Sequence, residues 1–564
     1  MSLTKVSYSM IDGAPLYAKD YGVVANGVAN DRPAMQLALN AIPATGGTLV
    51  LPRGTILLDA TQLTLLGKSN VTIQGAGMGA TLIDGSAVTG GSPNAIMVLG
   101  YTSSAPSPAV LNNVTLQNFS IKGSGTVTTG NIVNFRGINN VVFNAMEFYN
   151  GYAEGVYCDG AANAFNGLTI TECYFHDCYK GPISNGFNTN TLGVTNIVIE
   201  NNRFERMATG VYVLGQNISI CNNNFKDIRN VGIGAGESNF NATRSISGCV
   251  ISGNNFVGLG KLTTSGYNFA NSTGIDSNGT SKIYADGTQD SGVIISNNTF
   301  KDSVSDTGHA VRCIRAAGNV KVIGNYASNL TVSNGFSAFI DVYFSTEPQS
   351  FVGINSVAVT AYVENNTLQT SPGGIDIQYG MYVNSVQNAF LLCSGNVMEG
   401  DIGGAQIYST ANTFLPYISL SGDRFSPTCR LYDLLGTDAG LGSTSLAVTG
   451  TNFTTFSTNV SRDVFANIPV RVLVGATPTV SNGSYFYTDN ASPVSITNFV
   501  TSPTYVGKEI TVYFNDANTT IVYDTAKIVL SGAVDFVSSA GSSLTLYKPS
   551  VTNTSWYEKS RCKV

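Results

Sequence analysis

Residues 197–204 read Ile-Val-Ile-Glu-Asn-Asn-Arg-Phe: apolar side chains at Ile197 and Ile199, an asparagine at Asn202 and an apolar close at Phe204. The same eight-residue phrase returns at 218–225, 249–256, 293–300, 320–327, 361–368 and 391–398. Four further copies change only the asparagine, with Phe119, Met146, Cys173 and Asp423 in its place, which makes eleven copies in all. Successive copies begin 21 to 31 residues apart, except for two longer gaps of 44 and 41. A fixed phrase at that period is the mark of a solenoid. Period-two alternation inside each copy marks strands, and the frequent Gly, Asn and β-branched residues argue against helical repeats. The reading is an all-β chain, a right-handed parallel β-helix. Stacked rungs lie about 4.8 Å apart, so the recurring asparagines form a column that hydrogen-bonds inside the coil. Their role is structural.

Composition fits this picture. The chain has 564 residues, 43% of them hydrophobic and only 11% charged, with a net charge of −6. It is long enough for more than one domain. It lacks any basic stretch, so nucleic acid is not an expected partner. There is no apolar run of the length that spans a membrane, and residues 1–5, Met-Ser-Leu-Thr-Lys, carry no signal-peptide core. The expectation is a protein that does not insert into membranes. Its nine cysteines (158, 173, 178, 221, 249, 313, 393, 429 and 562) are scattered over the rungs without a CxxC pair, so reduced, packed thiols are expected rather than zinc or a disulfide framework. No metal or cofactor is called for.

Residues 1–100 differ from the repeats and are read as an N-terminal cap with the first rungs. A turn-rich stretch at 20–31 leads into a helix over 32–42, with Met35, Ala38, Leu39 and Ile42 at helical spacing, Asn30 or Asp31 as its cap and Pro33 in its first turn. Gly46-Gly47 ends it, and 48–55 reads as a strand and a turn. The body of the coil covers 101–435, a linker 436–445, and 446–564 shows short strands at close spacing (468–474, 509–514, 520–523, 527–530 and 543–547), a β-sandwich pattern.

Gly22, Gly27, Asp31, Gly46, Gly47, Pro52, Gly54 and Thr55 resemble the N-terminal signature of the pectate-lyase-like β-helix superfamily, in which such a helix caps the open end of the coil. The close of the chain, Leu544-Thr-Leu-Tyr547 followed by Ser555-Trp556-Tyr557-Glu558, together with the opening 6–13, resembles bacteriophage tailspike depolymerases. That resemblance implies a homotrimer carried on the virion, which binds and cleaves a bacterial surface polysaccharide, capsule or O-antigen, at the cell surface. It also implies attachment to the phage tail or baseplate through an anchor missing from this sequence or supplied by a separate protein, and a C-terminal sandwich used for trimerisation or carbohydrate binding.

After each phrase comes a second strand with an aliphatic residue facing inward and a variable residue facing out. The outward column then reads Tyr157, Ser184, Tyr212, Gly234, Asp276, Arg312, Asp341 and Asp376. Tyrosines suit the C–H faces of sugar rings, and Asp and Arg suit hydroxyls or an acidic substituent. Hydrolysis of a glycosidic bond needs two carboxyl groups, roughly 5 to 5.5 Å apart for retention and about 6.5 to 9.5 Å for inversion. Asp341 and Asp376 on adjacent rungs fit the shorter spacing. Asp276 and Asp341, two rungs apart, fit the wider one with a water between them, and this pair is preferred. Glu237 is a further candidate for the groove.

Each of these Asp residues also fits a solvated or loop-capping role, and Arg312 fits simple charge neutralisation. Of the two histidines, His176 reads as a surface residue after Phe175, in line with Glu205, Lys226, Val257 and Lys301. His309 lies three residues before Arg312 and is the candidate base for the alternative chemistry, elimination on a uronate whose carboxylate Arg312 would hold. No Asp cluster resembles a calcium site. Three functions therefore stand: an endo-glycosidase, a polysaccharide lyase, or an adhesin that binds glycan without cutting it.

Overall fold

The structure is a computed structural model. It describes residues 13–89, 94–101, 110–125, 130–151, 153–159, 165–185, 194–213, 215–236, 248–261, 271–278, 292–305, 310–317, 320–332, 337–344, 359–369, 379–385, 389–399, 405–409, 417–425, 430–434, 445–449, 473–480, 485–500, 508–549 and 555–563. Two compact units make up the chain, the first 1–415 with 424–440 and 453–455, the second 416–423, 441–452 and 456–564.

The first unit is the expected right-handed parallel β-helix. Its strands pair in parallel with the equivalent strand one rung on, and they form three faces. The first face holds the alternating part of each phrase, with Ile197 paired to Ile218 and Ile199 to Ile220. The second holds the short strands at the phrase ends, in which Phe175, Phe204 and Phe225 align. The third holds the strands that follow, among them Glu154–Asp159, Asn271–Asn278, Ala310–Ala317 and Ser337–Phe344.

The corners explain the phrase. The residue before each Asn-column position has positive φ, as in Asn201, Asn222, Gly253, Asn297, Gly324, Asn365 and Gly395, which is the left-handed turn that Asn and Gly accept most readily. The turn aims the next side chain into the coil. Asn202, Asn223, Asn254, Asn298, Asn325, Asn366 and Asn396 are all buried there. Asn223 Nδ2 donates to Asn254 Oδ1 at 3.0 Å and to the Ile199 carbonyl at 2.9 Å, while Asn254 Oδ1 also accepts the Asn223 backbone N–H at 3.0 Å. The pattern repeats from Asn202 to Asn396, so the corner's amides are satisfied within the ladder. Cys173 ends the ladder, its backbone N–H donating to Asn202 Oδ1 at 2.8 Å.

Beside the asparagines runs a stack of phenylalanines. Phe204, Phe225, Phe256 and Phe300 lie 4.7 to 4.8 Å apart between centroids, at angles of 7° to 10°. Each ring leaves no room on the third face of the rung before it: a Cβ on Gly274 would lie 2.5 Å from the Phe300 ring. This is why glycine opens so many third-face strands.

At the N-terminal end the helix spans Arg32–Ala41 and buries Met35, Ala38 and Leu39. Asp31 occupies the cap position but turns the other way, accepting the N–H groups of Val24 at 2.7 Å and Ala25 at 3.0 Å, while Asn30 Oδ1 takes the Arg32 N–H at 3.1 Å. The described cysteines are free thiols, all buried except Cys221 and Cys562; Cys429 lies outside the described residues. In the second unit, a five-stranded and a three-stranded sheet surround a core that includes Phe486, Ile510, Val512, Phe514, Leu544, Leu546 and Trp556. Trp556 Nε1 donates to the Phe499 carbonyl at 3.0 Å. Among the described residues, no helix is long and apolar enough to cross a membrane.

Candidate active site

On the third face the strands alternate strictly at the centre of the coil. Ile233, Ile275, Ile314 and Ile340 are fully buried, and so are Ala235, Ser277, Ala316 and Val342 two residues later. The residues between them therefore face away from the core. Backbone pairing gives the register of that position along the coil: Asn134, Tyr157, Ile183, Tyr212, Gly234, Asp276, Arg315, Asp341, Tyr382, Tyr408, Asp433.

Tyr157, Tyr212, Asp276 and Asp341 stand where the alternation put them. Arg312 does not. It pairs in register with Thr273 and Ala338, and Arg315 occupies the rung between the two aspartates. The reason is local: Ala310-Val-Arg-Cys-Ile-Arg315 offers an aliphatic-Arg pair twice, three residues apart, and the glycine that marks this strand on earlier rungs is Cys313 here. A larger residue fits because the phenylalanine column ends one rung on, at Ala327. Backbone register also puts Ile183, one residue before Ser184, at this position, and Tyr382 one rung beyond Asp341. Asp376, Glu237 and His309 lie outside the described residues. The volume match between Cys313 and Ala327 is the signal in the sequence that identifies Arg315.

The four charged groups form one network. Arg312 Nε lies 2.8 Å from Asp341 Oδ2. Arg315 reaches both acids, 3.6 Å from Asp276 Oδ2 through Nη1 and 4.0 Å from Asp341 Oδ2 through Nε. Side-chain exposure falls from 30% at Arg315 and 20% at Arg312 to 16% at Asp276 and 4% at Asp341. In each aspartate the second oxygen, Oδ1, is buried without a hydrogen-bond partner. Burial pushes the Asp341 carboxyl up to about 6, against the pull of both arginines, and the nearby Asp276 charge adds to the rise. Asp276 is raised as well, again by burial, with Arg315 and Arg312 opposing it. The two carboxyl groups lie two rungs apart, at about 9.5 Å from the rung spacing.

A second cluster lies on the second face. His176 is half-buried, not merely superficial: Nδ1 lies 2.7 Å from Asp177 Oδ2, Nε2 lies 3.3 Å from Glu147 Oε1, and the ring stacks on Tyr149 and Tyr174. Burial disfavours its charge, yet the carboxylates outweigh this and hold its pKa above the usual histidine value. Arg206 clasps Asp177 with two bonds of 2.7 Å, and the Tyr174 hydroxyl donates to Glu205 at 2.7 Å. Glu205, deeply placed but contacted by Tyr174, Lys226, Arg203 and Arg206, is held down at about 2. These groups satisfy one another, which is what a structural network requires.

Residues 17–235 match the family described as rhamnogalacturonase A/epimerase, pectate lyase-like. Among curated proteins, the mannuronan C5-epimerase AlgE3 of Azotobacter vinelandii is 44% identical over 77 residues, 12% of this chain and 4% of the epimerase. AlgE4 from the same organism is 42% identical over 76 residues, 14% of its length. The chain thus spans a small part of these relatives. Among solved structures, the surface adhesin PfbA of Streptococcus pneumoniae has a TM-score of 0.41 at 15% identity, covering 77% of this chain and 93% of that one. The tailspike of E. coli bacteriophage HK620, crystallised with a hexasaccharide, has a TM-score of 0.40 at 13% identity, covering 77% and 78%. The coil described above is a right-handed parallel β-helix, and its residues 17–235 are similar to the pectate lyase-like family model.

Proposed function

We propose that the protein is a tailspike depolymerase that cuts a bacterial surface polysaccharide by endo-glycosidic hydrolysis on the third face of the coil. The observation that carries this reading is the pair Asp276 and Asp341, two rungs apart, each with a buried, unpartnered carboxyl oxygen. Asp341, the more buried of the two and raised by that burial, is the general acid that protonates the leaving oxygen. Asp276 is the base that activates water, and the two-rung spacing corresponds to inversion. Tyr157 and Tyr212 extend the same column and offer ring faces to sugars. Following the tailspike resemblance, the particle is a homotrimer on the virion.

A second reading, elimination on a uronate, is favoured by the two guanidinium groups beside the acids, which suit a substrate carboxylate. Purified capsules and O-antigens incubated with the protein separate the readings. New reducing ends without unsaturated sugars mean hydrolysis, unsaturated products mean elimination, and retained polymer size despite binding means adhesion. The hydrolase reading predicts the first result and is overturned by either of the others.

A further inference from the structure

We infer that Gly234 is a positioning residue of the site: by carrying no side chain, it lets the Tyr212 ring lie over its rung and form a sugar-stacking floor next to the rung of Asp276. The inference rests on the reading that a glycan lies along the third face, and it names what holds the aromatic contact in place.

Gly234 pairs in register with Tyr212 on one side and with Asp276 on the other. It is the one glycine at this position between Asn134 and Asp341. Other glycines of these strands answer to the core: a Cβ on Gly210, Gly232 or Gly274 would run into a phenylalanine ring and a backbone carbonyl of the next rung. Gly234 answers to Tyr212 instead. The three atoms nearest to a Cβ placed there all belong to that ring, Cδ2 at 2.3 Å, Cε2 at 2.8 Å and Cγ at 3.4 Å. Its φ is not positive, so the backbone itself would accept a side chain. What keeps the position bare is the ring.

A side chain on a strand ordinarily stands up from its own rung. Here the ring extends across the next rung in the direction of Asp276, which brings an aromatic surface one rung from that carboxyl. Gly234 is buried while Tyr212 stays partly exposed, so the ring covers the backbone and still meets solvent. The sheet beneath it restricts its rotation, and a contact that is already ordered costs less to use. The matching ligand is a pyranose that presents an apolar C–H face at this rung. Any side chain at position 234 would displace the ring and remove that floor.

The test is calorimetric titration of the full-length protein with the longest oligosaccharides from the limit digest of a capsular polysaccharide that it degrades. Gly234→Ala should raise Kd about three- to tenfold, the scale of one aromatic contact, and Tyr212→Ala should do the same. The double variant should bind no more weakly than Tyr212→Ala alone, because the added methyl group then has no ring to displace. Tyr212→Phe keeps the ring and should stay within about twofold of the wild type. An unchanged Kd in Gly234→Ala, or a loss that adds in full to that of Tyr212→Ala, would overturn the inference. Thermal midpoints separate a fold effect: any destabilisation in Gly234→Ala should be relieved by Tyr212→Ala, and a loss that is not relieved belongs to the backbone and overturns the inference. Asp341→Asn reports on the acid separately. If it stays active while Gly234 and Tyr212 remain coupled, the assignment of the acid fails and the stacking floor stands. A wild type that degrades no capsule overturns both.

Discussion

Asp341 is a carboxyl that the fold keeps from water and still surrounds with guanidinium groups, and its protonation should be visible in both activity and stability. Its pKa rises from 3.8 to about 6 on folding. A group raised in this way stabilises the fold fully below its unfolded value and loses that contribution as pH climbs through its folded value. Between pH 3.8 and about 6, therefore, this residue makes the protein less stable as pH rises. Asp341→Asn should flatten the slope of stability against pH in that window, measured by denaturant unfolding. As a general acid the same group must be protonated, so kcat/KM should fall above about pH 6. A rate that is flat from there upward would remove Asp341 from the acid's role.

His176 makes a separate prediction at the same scale. Both ring nitrogens face carboxylate oxygens, and a neutral imidazole donates through only one of them. Its folded pKa lies above 6.5, so the stability it gives is present below that value and lost as pH rises through the folded one. Nitrogen NMR of the imidazole should show a titration above 6.5, and His176→Gln should remove the associated pH dependence of stability. A titration below 6.5 would contradict the geometry. The sequence could not place His176 in a network, because Glu147 lies 29 residues from it and Arg206 lies 29 residues from Asp177, and they meet only once the rungs stack.

At the scale of elements, the asparagine ladder was legible in full, since each of its seven copies from Asn202 to Asn396 carries its own turn residue, its own buried amide and its own apolar close. Removing an inner member tests the ladder. Asn254→Ala takes away the acceptor of the Asn223 amide and backbone N–H and the donor to Ile220 and Asn298, all of them buried. Leaving such groups unpaired costs about 1 to 3 kcal/mol each, so a total of roughly 3 kcal/mol or more is expected, read as a fall in thermal midpoint. Asn255→Ala, one residue on and facing outward, should cost under about 1 kcal/mol. Equal effects would mean that the column is not what holds the corner.

The third face was only half legible. Its alternation placed Tyr212, Asp276 and Asp341 correctly, yet it chose Arg312 over Arg315, because strand period alone cannot choose between two aliphatic-Arg pairs three residues apart. The deciding fact lies a rung away, where Ala327 replaces a phenylalanine and makes room for Cys313. The tyrosines at Tyr382 and Tyr408 were missed for the same reason, since their register depends on strands whose intervening segments vary in length. Their positions extend the column past Asp341. Replacing Tyr212 by Ala should raise KM for long oligosaccharides several-fold and leave short ones almost unchanged, as seen in initial rates on size-fractionated substrate.

For the whole molecule, the coil is a single run of stacked rungs, and the second unit adds a two-sheet core of its own. The proposed homotrimer predicts a mass near three times 59.2 kDa by light scattering. A monomer at working concentration would contradict the homotrimer. The central claim is that a glycan lies along the third face, across Asp276, Arg315 and Asp341. The most direct measurement is a crystal structure of the Asp341→Asn protein soaked with an oligosaccharide product of its own polymer. The account predicts sugar density parallel to the coil axis, crossing the Arg315 rung between Tyr212 and Tyr382. Density confined to the first or second face, with those three residues untouched, would contradict it.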